Sequence, residues 1–356
     1  MLPAWLSSTD FLAFTLAHPE KLPADLQPLT FSLDNGTDCQ IWDTGVICFT
    51  PPSYGHQDIV LSCGIHGNET APIEICAALV QDILQQQLVL SERVLFLFGN
   101  PPAIHAGKRE LIDNMNRFFS GFHDVSPTSD GQTIDLSISF EKRRCADLER
   151  YVSRFYAEAP AGRERCLYDL HTAIRGSKFE KFAVYPFLHG KPWSEAQFSL
   201  LAACDIRCFL LMQTPASTFS YYAAQTHGAH AFTLELGKAR PLGENEMSRF
   251  TEVAQTLRAL ISGGDIQLQA FDESDFQLFE VYRSINKQSD AFELCFANSI
   301  ENFTQLPLGT LLAKDGDIEY RVEQSGEAII FPNANVALGQ RAMLMVKPVS
   351  ILGQTA

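Results

Sequence analysis

The sequence is short of basic residues: its 356 residues include 27 Lys and Arg against 42 Asp and Glu, which gives a formal net charge of −15. Non-specific binding to nucleic acids depends on Lys and Arg side chains that neutralise phosphates. We therefore expect no nucleic-acid partner. The same charge balance means that an anionic ligand would need a pocket in which basic side chains are concentrated.

Long apolar runs are also missing, because no segment reaches the roughly 18 consecutive apolar residues that a membrane-spanning helix needs. The first ten residues carry no Lys or Arg, whereas a signal peptide opens with a basic region. The nine cysteines are scattered and form no Cys-x-x-Cys pair, which is typical of reduced, buried thiols in the cytoplasm. We expect a cytoplasmic protein without a membrane partner.

The composition is that of a globular protein, with 46% hydrophobic and 19% charged residues. A chain of this length usually divides into one large domain and a smaller one. Apolar strand-like runs alternate with helical patterns up to Ser262, and beyond Gly263 and Gly264 only short runs between turn residues follow. We predict an α/β domain over residues 1–262 and a small all-β domain over residues 263–356.

Residues 140–159 show a clear helical pattern, with apolar or aromatic residues recurring about every three to four positions. Charged residues of both signs lie between them, and Glu141 and Arg144 are among these. We predict an amphipathic helix whose charged residues form the solvated face.

The most informative stretch is residues 61–70, in which an apolar run leads into two glycines that bracket His66, and Glu69 follows three residues later. A helical pattern with Pro72 near its first turn comes next, so we predict a strand, a tight turn and a helix. At such a turn His66 and Glu69 can point at one place, and Zn²⁺ takes His nitrogen and carboxylate oxygen ligands. The alternative is a solvated His–Glu pair at the surface.

Two further apolar runs carry residues that can complete such a site. His171 follows the run 166–170, and Asp169 lies on the same face of that extended strand, from which it could reach the other ring nitrogen of a ligand histidine. Glu235 lies inside the run 231–236, where a carboxylate is costly unless it is paired or functional, so it is a candidate general base. The alternatives are a buried, hydrogen-bonded histidine and a structural glutamate.

Several short motifs, in this order, resemble those of the succinylglutamate desuccinylase/aspartoacylase family, which belongs to the zinc-carboxypeptidase-like hydrolases. They are His-Gly-Asn-Glu at 66–69, Asp-Leu-His at 169–171 and Glu-Leu-Gly at 235–237. The family also carries an Asn-Pro turn after a strand, then an Arg, then Asn-Arg; the matching residues here are Asn100, Pro101, Arg109, Asn116 and Arg117. The resemblance covers residues 40–240 well and the C-terminal part loosely.

The resemblance implies a zinc-carboxypeptidase-like α/β fold, a mixed sheet flanked by helices, with the C-terminal β domain near the mouth of the active site. It also implies one Zn²⁺ per chain, held by His66, Glu69 and His171. A metal-bound water would be the nucleophile, with Glu235 as the general base and Arg109 polarising the substrate carbonyl.

The substrate that the resemblance implies is N-succinyl-L-glutamate, a small anionic acyl-amino acid cut to succinate and L-glutamate in arginine catabolism, with Asn116 and Arg117 holding a carboxylate. Asn114 stands where the family more often has Asp, and we expect it to orient an Arg. Phe331 stands where aspartoacylases have Tyr, which argues mildly against N-acetylaspartate. An aspartoacylase, another N-acyl-amino-acid hydrolase of the family and a non-catalytic binding protein stay open as alternatives. No feature of the sequence indicates an oligomeric state.

Overall fold

The computed structural model describes residues 2–7, 10–27, 29–124 and 138–356. The chain forms two compact units, each made of several segments. The first unit comprises Met1–Thr172, Ala216–Leu234 and Ala239–Leu268, and the second comprises Ala173–Pro215, Glu235–Lys238 and Gln269–Ala356. The division into domains 1–262 and 263–356 is a different partition of the chain and stays a prediction.

Eight α-helices and sixteen strands lie within the described residues. The helices are α1 Ala4–Ser7, α2 Phe11–Ala17, α3 Thr70–Leu84, α4 Pro101–Ala106, α5 Phe140–Ala157, α6 Glu195–Ala203, α7 Phe219–His227 and α8 Thr251–Ser262. The strands are β1 Thr30–Ser32, β2 Asp38–Asp43, β3 Val46–Thr50, β4 Gln57–Cys63, β5 Arg93–Phe98, β6 Glu164–Ala173, β7 Phe182–Tyr185, β8 Cys208–Leu211, β9 His230–Lys238, β10 Gln277–Asn286, β11 Phe292–Leu294, β12 Thr304–Gln305, β13 Leu311–Asp315, β14 Ile318–Arg321, β15 Ala328–Ile330 and β16 Arg341–Pro348. None of the described helices is long and apolar enough to cross a membrane.

The first unit is built on a mixed sheet with the strand order β1-β2-β3-β5-β4-β6-β9. Strand β4 runs parallel to both β5 and β6, whereas β1, β2, β3 and β5 pair antiparallel in succession. All residues of β5 are buried, as are those of β4 after Gln57, which accounts for the apolar runs 94–98 and 59–61 within them. The predicted α/β class with a mixed sheet is confirmed.

The core of the first unit lies between this sheet and helices α5 and α7. Residues Cys145, Leu148, Val152 and Phe155 recur along one face of α5 and are fully buried. They pack with Val60 of β4 and with the other members of the cluster, which include Leu95, Leu97, Leu167, Phe219 and Ala231. The helix predicted over 140–159 is therefore present as an amphipathic element.

The second unit contains the strand order β7-β8-β10-β16-β15-β12 and a separate three-stranded sheet, β11-β13-β14. Strands β7, β8 and β10 run parallel, and the remaining pairings are antiparallel. From Gln277 onward the regular structure of the described residues is strand, which confirms the predicted β-rich C-terminal part.

The parallel pairing of β4 with β6 brings two of the sequence motifs to one edge of the first sheet. Ser62 lies opposite Asp169 and Cys63 opposite Leu170. His66 and His171 lie shortly beyond these paired positions. The carboxyl edge of the sheet is a common place for ligand sites in α/β proteins, and the polar cluster of the first unit lies there.

Candidate metal centre

Glycines shape the turn that carries His66. Gly64, directly after β4, has a φ of +67°, a left-handed conformation that other residues rarely adopt. A Cβ atom at Gly67 would lie 2.2 Å from the carbonyl carbon of Ala103 and 2.3 Å from the backbone nitrogen of Ile104. Only glycine therefore lets the turn lie against α4, and this close packing fixes the position of the neighbouring His66 backbone.

Three side chains that the sequence singled out lie together at this turn. His66 Nδ1 is 2.9 Å from one carboxylate oxygen of Glu69, and His171 Nδ1 is 2.8 Å from the other. The two rings have centroids 5.1 Å apart. All three side chains are almost fully buried, with relative exposures of 5%, 2% and 2% for His66, Glu69 and His171. Their donor atoms lie within 4.8 Å of one another, close enough to hold one metal ion.

Asn114 determines which nitrogen of His66 carries the proton. One polar atom of its side chain lies 3.1 Å from His66 Nε2 and 3.1 Å from the backbone nitrogen of Asn116. Because the Asn116 N–H can only donate, that atom must be the amide oxygen, and His66 Nε2 must then donate to it. The lone pair of His66 is therefore on Nδ1 and faces Glu69. We expected Asn114 to orient an Arg; that expectation is wrong, since its oxygen orients a histidine of the centre.

Asp169 plays the corresponding part for His171. Its carboxylate lies 2.8 Å from His171 Nε2 and is fully buried. An ionised carboxylate only accepts hydrogen bonds, so His171 Nε2 is the donor and Nδ1 is left to face Glu69. This is the contact that the two-residue spacing on a strand predicted, and it is the usual way in which proteins orient a metal-binding histidine.

The metal-ligating atoms of this cluster suit a divalent cation. A neutral imidazole Nδ1 and a carboxylate oxygen are both acceptors, so a proton or a cation must lie between them. Burial and the Arg109 guanidinium lower the pKa of His66 to about 4, so its ring is neutral near pH 7 and supplies no proton. Burial also acts to lower the pKa of His171, but Asp169 and Glu69 outweigh it and raise that pKa well above its ordinary value. A divalent cation held between His66 Nδ1 and the Glu69 carboxylate would satisfy both acceptors, and two His nitrogens with one carboxylate are a common zinc ligand set in hydrolases.

Arg109 lies directly on the same carboxylate. Its guanidinium donates to Glu69 Oε1 at 2.5 Å, and its backbone carbonyl accepts from the Gly67 N–H at 3.1 Å. The Thr172 N–H donates to Glu69 Oε2 at 3.1 Å. The two histidines outweigh burial and hold the pKa of Glu69 well below its usual range, so this carboxylate is ionised.

The loop after α4 is held in place by a residue that we expected to be solvated. Glu141, in the first turn of α5, is completely buried, and its Oε1 accepts from the backbone N–H groups of Leu111 at 2.7 Å and Ile112 at 3.2 Å. Arg144, one turn later, is also buried and donates from Nε to the carbonyl of Gly99 at 2.9 Å. The prediction of a solvated charged face is wrong for these two residues.

The helical period could have revealed both of them. Positions 141, 144, 145 and 148 lie on one face of a helix, and two of the four are apolar core residues. A charged residue in register with core positions is typical of a buried anchor that satisfies backbone groups. Here the anchors fix the loop that carries Arg109 and Asn114 and the turn that follows β5.

Asn116 and Arg117 form the short 3₁₀ turn Met115–Arg117 next to the cluster. Asn116 is buried, and its amide oxygen accepts from the Phe219 N–H at 3.1 Å. Its NH₂ nitrogen lies 3.4 Å from His171 Nε2, but both groups are donors because Nε2 bonds to Asp169, so this contact is not a hydrogen bond. Arg117 is half-buried and donates to the Asn116 carbonyl at 2.8 Å. Burial and the neighbouring Arg109 lower the pKa of Arg117, which indicates that the two guanidinium charges lie near each other, an arrangement suited to an anion.

Two remaining sequence candidates belong to the second unit. Strand β9 is divided between the two units after Leu234, so Glu235 falls in the second; it is 8% exposed, as expected for a carboxylate inside an apolar run. Its role as a general base stays a prediction. Phe331 has a φ of +54°, and its ring packs against Phe182 with centroids 5.8 Å apart, while its N–H donates to Asn302 at 2.9 Å.

Two family models match the chain. The model described as the succinylglutamate desuccinylase/aspartoacylase catalytic domain matches residues 56–261. The model described as the AstE/AspA barrel-sandwich hybrid domain matches residues 274–349. The first match covers more than half of the chain and includes all seven candidate site residues.

Individual relatives match over nearly the whole length. The succinylglutamate desuccinylase of Shewanella piezotolerans is 47% identical over 341 residues, which cover 96% of each chain. The solved structure of the enzyme from Chromobacterium violaceum superposes with a TM-score of 0.80 at 39% identity, over 96% of this chain and 98% of that one. The one from Vibrio parahaemolyticus gives 0.82 at 33% identity over 96% of both chains. The resemblance read from the motifs is confirmed, and the chain belongs to the succinylglutamate desuccinylase/aspartoacylase family.

Proposed function

We propose that this protein is a metal-dependent amide hydrolase that cuts N-succinyl-L-glutamate into succinate and L-glutamate, a reaction of arginine catabolism. The observation that carries the proposal is the buried His66–Glu69–His171 cluster in a chain that is 47% identical to a curated succinylglutamate desuccinylase over almost its full length. The substrate is inferred from the relatives, and the metal dependence is inferred from the cluster.

The metal that we propose is one Zn²⁺ per chain, held by Nδ1 of His66, Nδ1 of His171 and the Glu69 carboxylate. In support, Nε2 of each ring is already engaged as a donor, to Asn114 and to Asp169. When bound in such a site, zinc lowers the pKa of water to about 7 and polarises a carbonyl group.

We assign the proton transfers to Glu235. Its carboxylate would take a proton from the attacking water and return it to the nitrogen of the departing glutamate. Arg109 would donate to the oxygen of the scissile amide as negative charge develops there. The family motif at Glu235 and the position of Arg109 on Glu69 support these assignments.

The substrate carries three carboxylates, whereas the protein has a net charge of −15. Its recognition therefore requires concentrated positive charge, which Arg109 and Arg117 provide on one loop. We propose that Arg117 and the NH₂ group of Asn116 hold one of these carboxylates, since a guanidinium fork matches a carboxylate in geometry and charge.

Replacement of Arg117 by Ala should raise KM about tenfold or more with little change in kcat, because a carboxylate contact made in both the ground state and the transition state affects binding alone. Arg117→Lys should restore only part of the affinity, since it keeps the charge and loses the fork. Lys108→Ala, an exposed cation on the same loop, is the matched control. Steady-state kinetics check this, and an unchanged KM in Arg117→Ala removes Arg117 from the substrate contacts.

The proposed function is tested by a paired hydrolysis assay. Zinc-loaded protein is given N-succinyl-L-glutamate or N-acetyl-L-aspartate, each with a chelated control and with zinc added back. We expect chelator-sensitive release of glutamate from the first compound and little or no hydrolysis of the second. Preferential cleavage of N-acetyl-L-aspartate would make the protein an aspartoacylase, and binding of both without turnover would make it a non-catalytic binding protein.

A further inference from the structure

We propose that Asn114 sets the zinc affinity of the metal centre, because its neutral amide oxygen orients His66 whereas a carboxylate orients His171. The proposal rests on the proposed metal site and adds to it an asymmetry between the two histidines. The two contacts differ in charge and in length: Asn114 Oδ1 lies 3.1 Å from His66 Nε2, and Asp169 Oδ2 lies 2.8 Å from His171 Nε2.

Because the two acceptors differ in charge, the two histidines differ in strength as metal ligands. A hydrogen bond to an ionised acceptor is roughly twice as strong as one between neutral groups. By drawing on the Nε2 proton, Asp169 increases the electron density at Nδ1 of His171, which strengthens that ring as a ligand. Asn114 does this less for His66, and its oxygen also accepts from the Asn116 N–H, so it is shared between two donors.

The position of Asn114 explains why a neutral acceptor is useful there. It lies on the loop between Arg109 and Arg117, the two guanidiniums that we assign to an anionic substrate. A carboxylate at position 114 would bind His66 more strongly, but it would also add a negative charge to the loop to which we assign an anionic substrate. The amide thus gives a weaker metal centre and a more positive substrate loop.

The test is the variant Asn114→Asp, which keeps an oxygen acceptor for both His66 and the Asn116 N–H. We expect it to bind Zn²⁺ about tenfold more tightly in competition with a chromogenic chelator, and Asn114→Ala to bind it about 10- to 100-fold more weakly. Asn114→Asp should also raise KM for the anionic substrate severalfold. The visible absorption of the Co²⁺-loaded protein should shift in Asn114→Asp, because it reports the donor strength of the ligands.

A control with unchanged net charge separates the effect of the hydrogen bond to His66 from the effect of an added negative charge. The double variant Asp113→Asn/Asn114→Asp has the net charge of the unmodified protein and moves the carboxylate by one residue. Tighter zinc binding that persists in this double variant supports action through His66, whereas a gain that disappears overturns it. Melting temperatures of the metal-free proteins check that each variant is folded.

The remaining outcomes separate the two proposals. If Asn114→Asp folds and binds zinc with unchanged affinity and an unchanged Co²⁺ spectrum, Asn114 serves only the local turn and this inference fails while the metal site stands. If the unmodified protein binds no zinc at the stoichiometry of one per chain, the proposed metal site fails, and the role of Asn114 fails with it.

Discussion

Glu235→Gln should reduce kcat by about 10²- to 10⁴-fold and leave the zinc content at one per chain, because the amide has the shape of the carboxylate but cannot accept a proton. The substitution is nearly isosteric at a site that is 8% exposed, so it creates no cavity and the melting temperature should change little. KM should stay close to that of the unmodified protein, since Glu235 is assigned to proton transfer and not to substrate binding.

Steady-state kinetics with N-succinyl-L-glutamate and metal analysis of the purified variant check this prediction together. Glu244→Gln is a suitable control, because Glu244 is an exposed carboxylate shortly after β9. Comparable turnover in Glu235→Gln and the unmodified protein would exclude Glu235 as the general base. Loss of zinc along with turnover would instead assign it to the metal centre.

The residues of the candidate centre could be identified from sequence because the signals are local. His66 and Glu69 follow a buried apolar strand at a glycine turn, and His171 ends a second such strand. Parallel strands that are adjacent in a sheet bring their carboxyl ends together, and β4 and β6 are such a pair. The contact between Asp169 and His171 also follows from the sequence, because residues two apart on a strand lie on the same face.

The residues that support the centre were harder to identify because their partners are distant in sequence. Glu141 accepts from backbone groups about 30 positions earlier, and Arg144 contacts a carbonyl 45 positions earlier. The helical period places both on the buried face, but only the folded structure shows which backbone groups they satisfy. The amide of Asn114 likewise reaches His66 across 48 positions, so no local pattern names that partner.

The arrangement of segments in the two units depends on non-local pairing as well. Strand β8 pairs in parallel with β10, so that Leu210 lies opposite Phe279 although they are far apart in the chain. Short apolar strands have many possible neighbours of similar hydrophobicity, and their choice is decided by packing on both faces. This is why the change of pattern at Ser262 was visible in the sequence, whereas the inclusion of residues 173–215 in the second unit was not.

His171→Ala should abolish turnover and remove most of the zinc affinity. Structural zinc sites gain about 10–16 kcal/mol from four protein ligands, so one ligand is worth roughly 3 kcal/mol and its loss lowers the affinity by about a hundredfold or more. The variant also removes the hydrogen-bond donor of Asp169, a fully buried carboxylate. A buried acceptor that loses its partner costs about 1–3 kcal/mol, and more when it is charged, so the metal-free variant should also melt at a lower temperature.

A second variant separates loss of the ligand from loss of stability. Asp169→Asn/His171→Ala replaces the stranded carboxylate by a neutral amide and should recover part of the melting temperature without recovering zinc or turnover. His105→Ala, at an exposed histidine of α4, should leave all three quantities unchanged. If His171→Ala kept one zinc per chain and hydrolysed N-succinyl-L-glutamate normally, His171 would not be a ligand. Its hydrogen bond to Asp169 would then serve only the packing of β6.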